Sequence, residues 1–203
     1  MKKIKEELGL KIIIHTGIIS KEMAQNLRDA GVDAALIDVI GSDETIQEIV
    51  NSDLHIENYE ASLKNLYDSG IAFVPHVIVG LHYGALRGEL NALKMISKYS
   101  PSSLVVIALI PLKGTPLENC NPPTPESIAQ ILATAKIMLP SVPLSLGCMR
   151  PTGRHRIQTD ILAVKAGVNA IAFPEKEAIE LAKSLGLKVE FSYECCSQIY
   201  ENI

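Results

Sequence analysis

Tryptophan is missing from this 203-residue chain, and only three phenylalanines and six tyrosines stand in for it. A core with so few rings must be aliphatic. The 47% hydrophobic content can supply one and rules out wholesale disorder. Basic charge is not in excess either: 19 Lys and Arg face 23 Asp and Glu, for a net charge of −4. A nucleic-acid partner, which needs cations to replace phosphate counterions, is therefore not expected. No apolar run approaches the roughly 20 residues of a membrane span. The opening MKKIKEELGLKIIIHTG carries only a short apolar stretch, broken by Lys11, and reads as a helix end leading into a strand, not as a signal peptide. Four cysteines, two of them adjacent, form no C-x-x-C and do not make a disulfide framework. A reducing, cytoplasmic setting is the expectation. The length suits one sizeable domain.

What is present is a repeating pattern. Aliphatic, often β-branched runs recur at 11–15, 32–40, 71–79, 103–110, 142–146 and 169–173, and each reads as a strand. Amphipathic stretches at 20–31, 46–50, 59–68, 87–98, 124–138, 155–166 and 175–185 read as helices. Ser20 is placed as an N-cap. Thr124-Pro125-Glu126 offers a cap, a proline at the first helical position and an acid suited to the helix dipole. Residues 187–191 read as a short last strand or an extended tail. The strands are near-continuous apolar runs, the mark of a parallel sheet covered on both faces. Strand–helix alternation then implies right-handed βαβ crossovers.

Two arrangements fit such a chain, an open doubly wound sheet and a barrel. The Gly31, Gly70 and Gly167 helix stops each lead directly into a strand. Polar and Gly-rich signals gather instead after the strands, at His15-Thr16-Gly17, Asp38, Gly80-Leu81-His82-Tyr83-Gly84, 111–117 and 147–154. A (β/α) barrel places all of these at its C-terminal rim, where active sites sit. The expected fold is α/β: an incomplete TIM-type barrel of about six parallel strand–helix units. It forms a single domain over 1–203, with 187–203 as a cysteine-containing tail.

Rossmann, P-loop and nucleophile-elbow fingerprints are all lacking. His15, His76 and His82 lie at or near strand ends, where either a hydrogen-bonded structural role or a ligand role is open to them. Cys148 follows a strand directly, and Cys195-Cys196 sit in the tail. A buried, inert thiol is the ordinary reading of one cysteine, but it suits an adjacent pair poorly. Joint thiolate ligation of a metal or cluster by Cys148, Cys195 and Cys196 is the competing reading. Cys120 lies in a polar loop and is treated as a bystander.

In order along the chain, these rim segments resemble the biotin-synthase branch of the radical S-adenosylmethionine (SAM) enzymes. The resemblance runs through Leu10 to Gly17, Val77-Ile78-Val79-Gly80-Leu81, Leu112-Lys113-Gly114-Thr115-Pro116-Leu117, the rim Arg150 and the step into the last strand. Closer still is a group of archaeal and bacterial biotin-synthase-like proteins. Its pattern matches Pro75-His76, Gly80-Leu81-His82-Tyr83-Gly84, Gly147-Cys148, Arg150-Pro151 and Cys195-Cys196-Ser197, and one member looks like a subunit of a two-protein lipoyl synthase. The six units would correspond to units three to eight of a radical SAM barrel.

The resemblance implies SAM and a [4Fe–4S] cluster as cofactors, with sulfur insertion, such as lipoyl synthesis, as the chemistry. It assigns Asp38, His76, Val77, Gly80 and His82 to the SAM site. His15, Lys113, Arg150 and Arg154 fall to the substrate or cluster rim, and Cys148, Cys195 and Cys196 to iron–sulfur ligation. The family's radical-cluster spacing C-x3-C-x2-C is nowhere in the chain. Ile13 and Val74 occupy positions that hold cluster cysteines in biotin synthase itself, and Tyr83 stands where an acid is expected. The alternative implied is a truncated, non-catalytic homologue acting as a binding or partner subunit. An incomplete barrel would leave strand edges to be covered by the terminal segments, a second copy or a partner chain. The basic Arg154, His155 and Arg156 would suit an acidic carrier protein.

Overall fold

The fold follows from where the aliphatic runs can pair. In the computed structural model, which describes residues 1–201, six strands form one parallel sheet in sequence order. They are β1 Ile13–His15, β2 Ala34–Asp38, β3 Ala72–Val79, β4 Leu104–Ala108, β5 Leu144–Leu146 and β6 Ala170–Ile171. The helices are α1 Lys2–Leu8, α2 Lys21–Asp29, α3 Asp43–Glu48, α4 Ile56–Ser69, α5 Glu89–Ile96, α6 Pro125–Met138, α7 Arg154–Ala166 and α8 Lys176–Ser184. Every strand-to-strand connection carries at least one helix, as parallel pairing demands. The sheet does not close: among the described residues, β1 and β6 each pair on one side only. The strands are shorter than the apolar runs because pairing ends where the neighbour's backbone ends.

Helix ends are set as the sequence suggests. Ser20 accepts from the Met23 amide, and Thr124 accepts from the Ser127 amide with Pro125 at the first helical turn. Gly70 and Gly167 close α4 and α7 in the left-handed conformation.

The two faces of the sheet have different fates. Ala35, Ile37, Phe73, Val77, Val79, Leu104, Val106, Leu144 and Leu146 point to the helices and form the main core. Leu36, Val74 and Val105 point the other way and form a small aliphatic floor with Ile13 and Ile107. Residues 187–191 form no strand. The tail instead ends in a short 3-10 helix, Cys196–Glu201, that lies on the concave floor, with Cys196 and Tyr200 packed against it. Ser103 donates to the Ser197 carbonyl at 3.1 Å, and Lys11, at the entry to β1, pairs with Glu201. The tail is thus a strap across the concave face and adds no strand to either edge. Positions 202 and 203 of the expected tail lie outside the described residues.

Candidate active site at the concave rim

Strand parity decides which of the expected residues meet. In β2 and β3, Leu36 and Val74 face the floor, so Asp38 and His76 follow them two residues later on the same face. Asp38 and His76 are registered partners, and the His15 ring lies 5.2 Å from that of His76. These three polar residues therefore cluster at the C-terminal end of an otherwise aliphatic concavity. His76 is buried, and its Nδ1–H donates to the Val74 carbonyl at 3.1 Å. Burial lowers its pKa; the nearby Asp38 opposes that and His15 adds to it. The neutral ring thus presents Nε2 as an acceptor. Asp38 is half-buried and makes no side-chain hydrogen bond among the described residues. A carboxylate left this way at a strand end is suited to a pair of ligand hydroxyls.

The remaining residues assigned to SAM do not join this cluster. Val77 belongs to the sheet–helix core, so a ligand on the concave face meets only its backbone. Gly80 and His82 lie in a second crevice, between the loop after β2 and the start of α5. There the buried His82 shares a hydrogen bond of 3.2 Å with Thr45, and its Nε2 is 3.9 Å from Glu44, which pairs with Arg87. The Gly80 N–H donates to Glu89 at 2.8 Å. Burial pushes the Glu89 carboxyl up, partly offset by that amide. Glu89, which the sequence reading overlooked, thus fixes the glycine segment from behind through the Gly80 amide. Gly41 and Gly88 clamp the crevice: a Cβ at Gly41 would come within 2.2 Å of the Gly88 carbonyl oxygen. The cavity left is about 10 Å³, room for no more than a water molecule and far from a nucleoside.

Arg150 is not the rim cation expected. Its side chain is fully buried and forms a two-pronged pair with Asp160 at 2.6 and 2.9 Å. It also donates to the carbonyls of Gly147, Ala172 and Phe173. One guanidinium thereby ties together the loops after β5 and β6 and the body of α7. His155 is likewise structural: Nε2 bonds the Pro123 carbonyl at 2.8 Å. Lys113 and Arg154 remain exposed and without an ion-pair partner among the described residues. Phe173, held at φ 48° with its carbonyl taking bonds from Arg150 and Arg156, projects its ring into solvent.

Cys148, Cys195 and Cys196 gather where the tail meets the end of β5. The Cys148 backbone amide contacts the Cys196 sulfur, and Ser197 donates to the Cys195 sulfur at 3.2 Å.

Residues 105–200, running from β4 to the tail, match the Biotin and Thiamin Synthesis associated domain. A biotin synthase from Zymomonas mobilis subsp. mobilis is 28% identical over 168 residues, covering 82% of this chain and 49% of that protein. One from Coxiella burnetii is 28% identical over 205 aligned positions, covering 93% of this chain and 61% of its own. Over most of its length the chain is thus similar to biotin synthases. This biotin-synthase-like chain spans about half to three-fifths of the length of those relatives. Its fold is similar to that of methylornithine synthase, with a TM-score of 0.64 at 16% identity over 94% of this chain and 62% of the other. Among the described residues, no helix is long and apolar enough to cross a membrane.

Proposed function

We propose that this biotin-synthase-like chain binds SAM on its concave rim and serves radical chemistry of the sulfur-inserting kind, such as lipoyl synthesis. The observation that carries the reading is Asp38. Among the described residues its carboxylate stands without a hydrogen-bond partner beside the neutral His76, at the C-terminal end of the parallel sheet where barrel ligands sit. Asp38 would accept from the ribose hydroxyls, and His76 Nε2 would accept a further donor. The crevice around Gly80 and Glu89 would hold the loop behind them rigid. SAM, when bound and reduced by a [4Fe–4S] cluster, supplies an adenosyl radical. The C-x3-C-x2-C ligands of that cluster are not among these 203 residues, so no step through it is assigned to them. Lys113 and Arg154, exposed and unpaired at the rim, would meet an acidic carrier protein bearing the substrate.

A second reading has an observation of its own. Among the described residues β1 and β6 each pair on one side only, which leaves strand edges for another polypeptide to cover and suits a binding or partner subunit that presents SAM or substrate to it.

Titration calorimetry of the folded chain with SAM tests the site. A charge-assisted hydrogen bond is worth about 1.5–3 kcal/mol, so Asp38→Asn should weaken binding by roughly 10- to 100-fold. Failure of the folded wild-type chain to bind SAM, or full retention of affinity by Asp38→Asn, would sink this assignment. Adding candidate partner chains and assaying SAM cleavage then separates the catalytic reading from the binding one.

A further inference from the structure

Beside the Asp38–His76 cluster, a second set of polar side chains converges, and it lies outside the site described above. Glu44 and Glu48 stand one helical turn apart on α3, both exposed and on the same face. His82 reaches the same spot from the turn after β3. Among the described residues, this is the one trio of His, Cys, Asp or Glu whose ligand atoms all lie within 4.8 Å of one another.

The trio is more than an acidic patch, because its third member is nearly buried. His82 is only 8% exposed. Its Nδ1 shares a hydrogen bond of 3.2 Å with the hydroxyl of the buried Thr45. With the proton on Nδ1, Nε2 carries a lone pair on the side of the carboxylates. That nitrogen makes no hydrogen bond among the described residues, since Glu44 Oε1 is 3.9 Å away and too far for one. Glu44 turns its other oxygen, Oε2, to Arg87. Glu48 has no ion-pair partner among the described residues. Two carboxylates at this spacing repel each other, and an imidazole nitrogen faces them with nothing to accept from. The turn that carries His82 is held in place. The Gly84 N–H donates to the Gly80 carbonyl at 2.8 Å, and the Ala85 N–H to the His82 carbonyl at 2.9 Å. A Cβ at Gly84 would come within 1.9 Å of the Asn121 carbonyl oxygen, so the turn also sits hard against the loop before α6.

We propose that Glu44, Glu48 and His82 bind one divalent transition-metal ion. An imidazole nitrogen with two carboxylates suits manganese, iron or zinc better than magnesium or calcium, which take oxygen ligands. Bonds of about 2.0–2.2 Å put two donors on one ion at most about 4.4 Å apart. The 3.9 Å between His82 and Glu44 already meets that limit, and the exposed Glu48 reaches it by rotating its side chain. Thr45 orients the imidazole and Arg87 orients Glu44, the part that outer-shell partners play around a metal. The ion clips α3 to the turn after β3 and keeps its remaining positions for water on the exposed side.

The experiment titrates the full chain with manganese(II) alone and follows the loss of the free-ion electron paramagnetic resonance signal. Manganese is the probe because carboxylates suit it and thiolates do not, so the four cysteines compete poorly for it. SAM is left out, so the SAM assignment can fail without touching the result. The wild-type chain should bind one ion, and its melting midpoint should rise with manganese. Glu48→Gln, at an exposed position, should keep the wild-type circular dichroism spectrum and bind at least about 10-fold more weakly. Thr45→Val leaves all three ligands in place and should weaken binding by roughly 10- to 100-fold. Glu180→Gln, on the exposed side of α8, should bind as the wild type does. No manganese on the wild-type chain would overturn the proposal, as would wild-type affinity in Glu48→Gln or an equal loss in Glu180→Gln. So would displacement of manganese by an equal concentration of magnesium, which would reduce the trio to an acidic patch.

Discussion

Replacing Arg150 with methionine removes the one side chain that joins the loops after β5 and β6 to α7. The guanidinium and the Asp160 carboxylate are both fully shielded from solvent, with contacts of 2.6 and 2.9 Å. In the variant, Asp160 would keep the Glu175 amide, 2.9 Å away, as a donor, and the Gly147 and Ala172 carbonyls would lose the Arg150 donor, while the Phe173 carbonyl keeps Arg156. Stranding one member of a buried ion pair costs about 3–5 kcal/mol. For a domain of this size each kcal/mol lowers Tm by about 2–4 °C, so the melting point should fall by roughly 6–20 °C. Arg150→Met with Asp160→Leu removes both charges together. It should therefore cost clearly less than the sum of the two single changes, with a coupling of about 1–3 kcal/mol in the double-mutant cycle. Urea denaturation followed by circular dichroism gives all four stabilities. Because the pair is buried, the loss should persist in high salt. A single-variant loss below about 1 kcal/mol, or strict additivity in the cycle, would refute the claim that this pair organises the rim.

Two further tests follow from packing and burial. Glu89→Gln keeps an acceptor for Gly80 and removes a carboxyl whose folded pKa burial has raised. The stability linked to a raised pKa is present at acid pH and is lost as pH rises through the folded value. The variant should therefore gain on the wild type between about pH 4 and about pH 8; a difference that does not change with pH in urea melts would contradict this. Gly147→Ala forces a Cβ to within 2.5 Å of Ile107 and should cost about 1–3 kcal/mol in the same melts, and an unchanged midpoint would show that β5 can shift freely.

The strand order was legible because each parallel strand is an unbroken aliphatic run between a glycine stop and a polar rim. That same property hid the orientation of side chains within the strands. In a strand buried on both faces, Val74, Pro75, His76 and Val77 carry no polar–apolar alternation, so nothing in their order separates the concave face from the helix face. His76 and Val77 could be placed together at a cofactor on sequence alone, and pairing register then parts them. Arg150 was misjudged for a related reason. A cation after a strand end reads as a rim group, and its partner Asp160 lies a full loop and nearly two helical turns away. The available signal was Asp160 itself, an acid that shares the buried side of α7 with Thr159 and Ala163. An unpaired acid on that side would be costly, so a buried cation had to be sought.

The tail was the least legible element, and its chemistry explains both its placement and its weakness. Residues 187–193 expose Leu187, Phe191 and Tyr193 and carry no strand pairing, so propensity alone gives them no fixed position. Among the described residues of the tail, Cys196, Ser197 and Tyr200 engage the floor, through a small apolar contact and the Ser103 bond. The ion pairs of Lys11 with Glu194 and Glu201 lie at the surface, where salt screens them and their net worth is small. A strap held this lightly has little docking energy of its own. A ligand that binds only the docked arrangement adds its binding free energy to that docking, in proportion to the logarithm of its concentration over its Kd. The thiols at 195 and 196 sit where the strap meets the Cys148 loop, which Arg150 anchors to the rest of the rim. Docking of the strap and order of the concave face are therefore linked through one short segment, and the rigid half of that link is the Arg150–Asp160 pair.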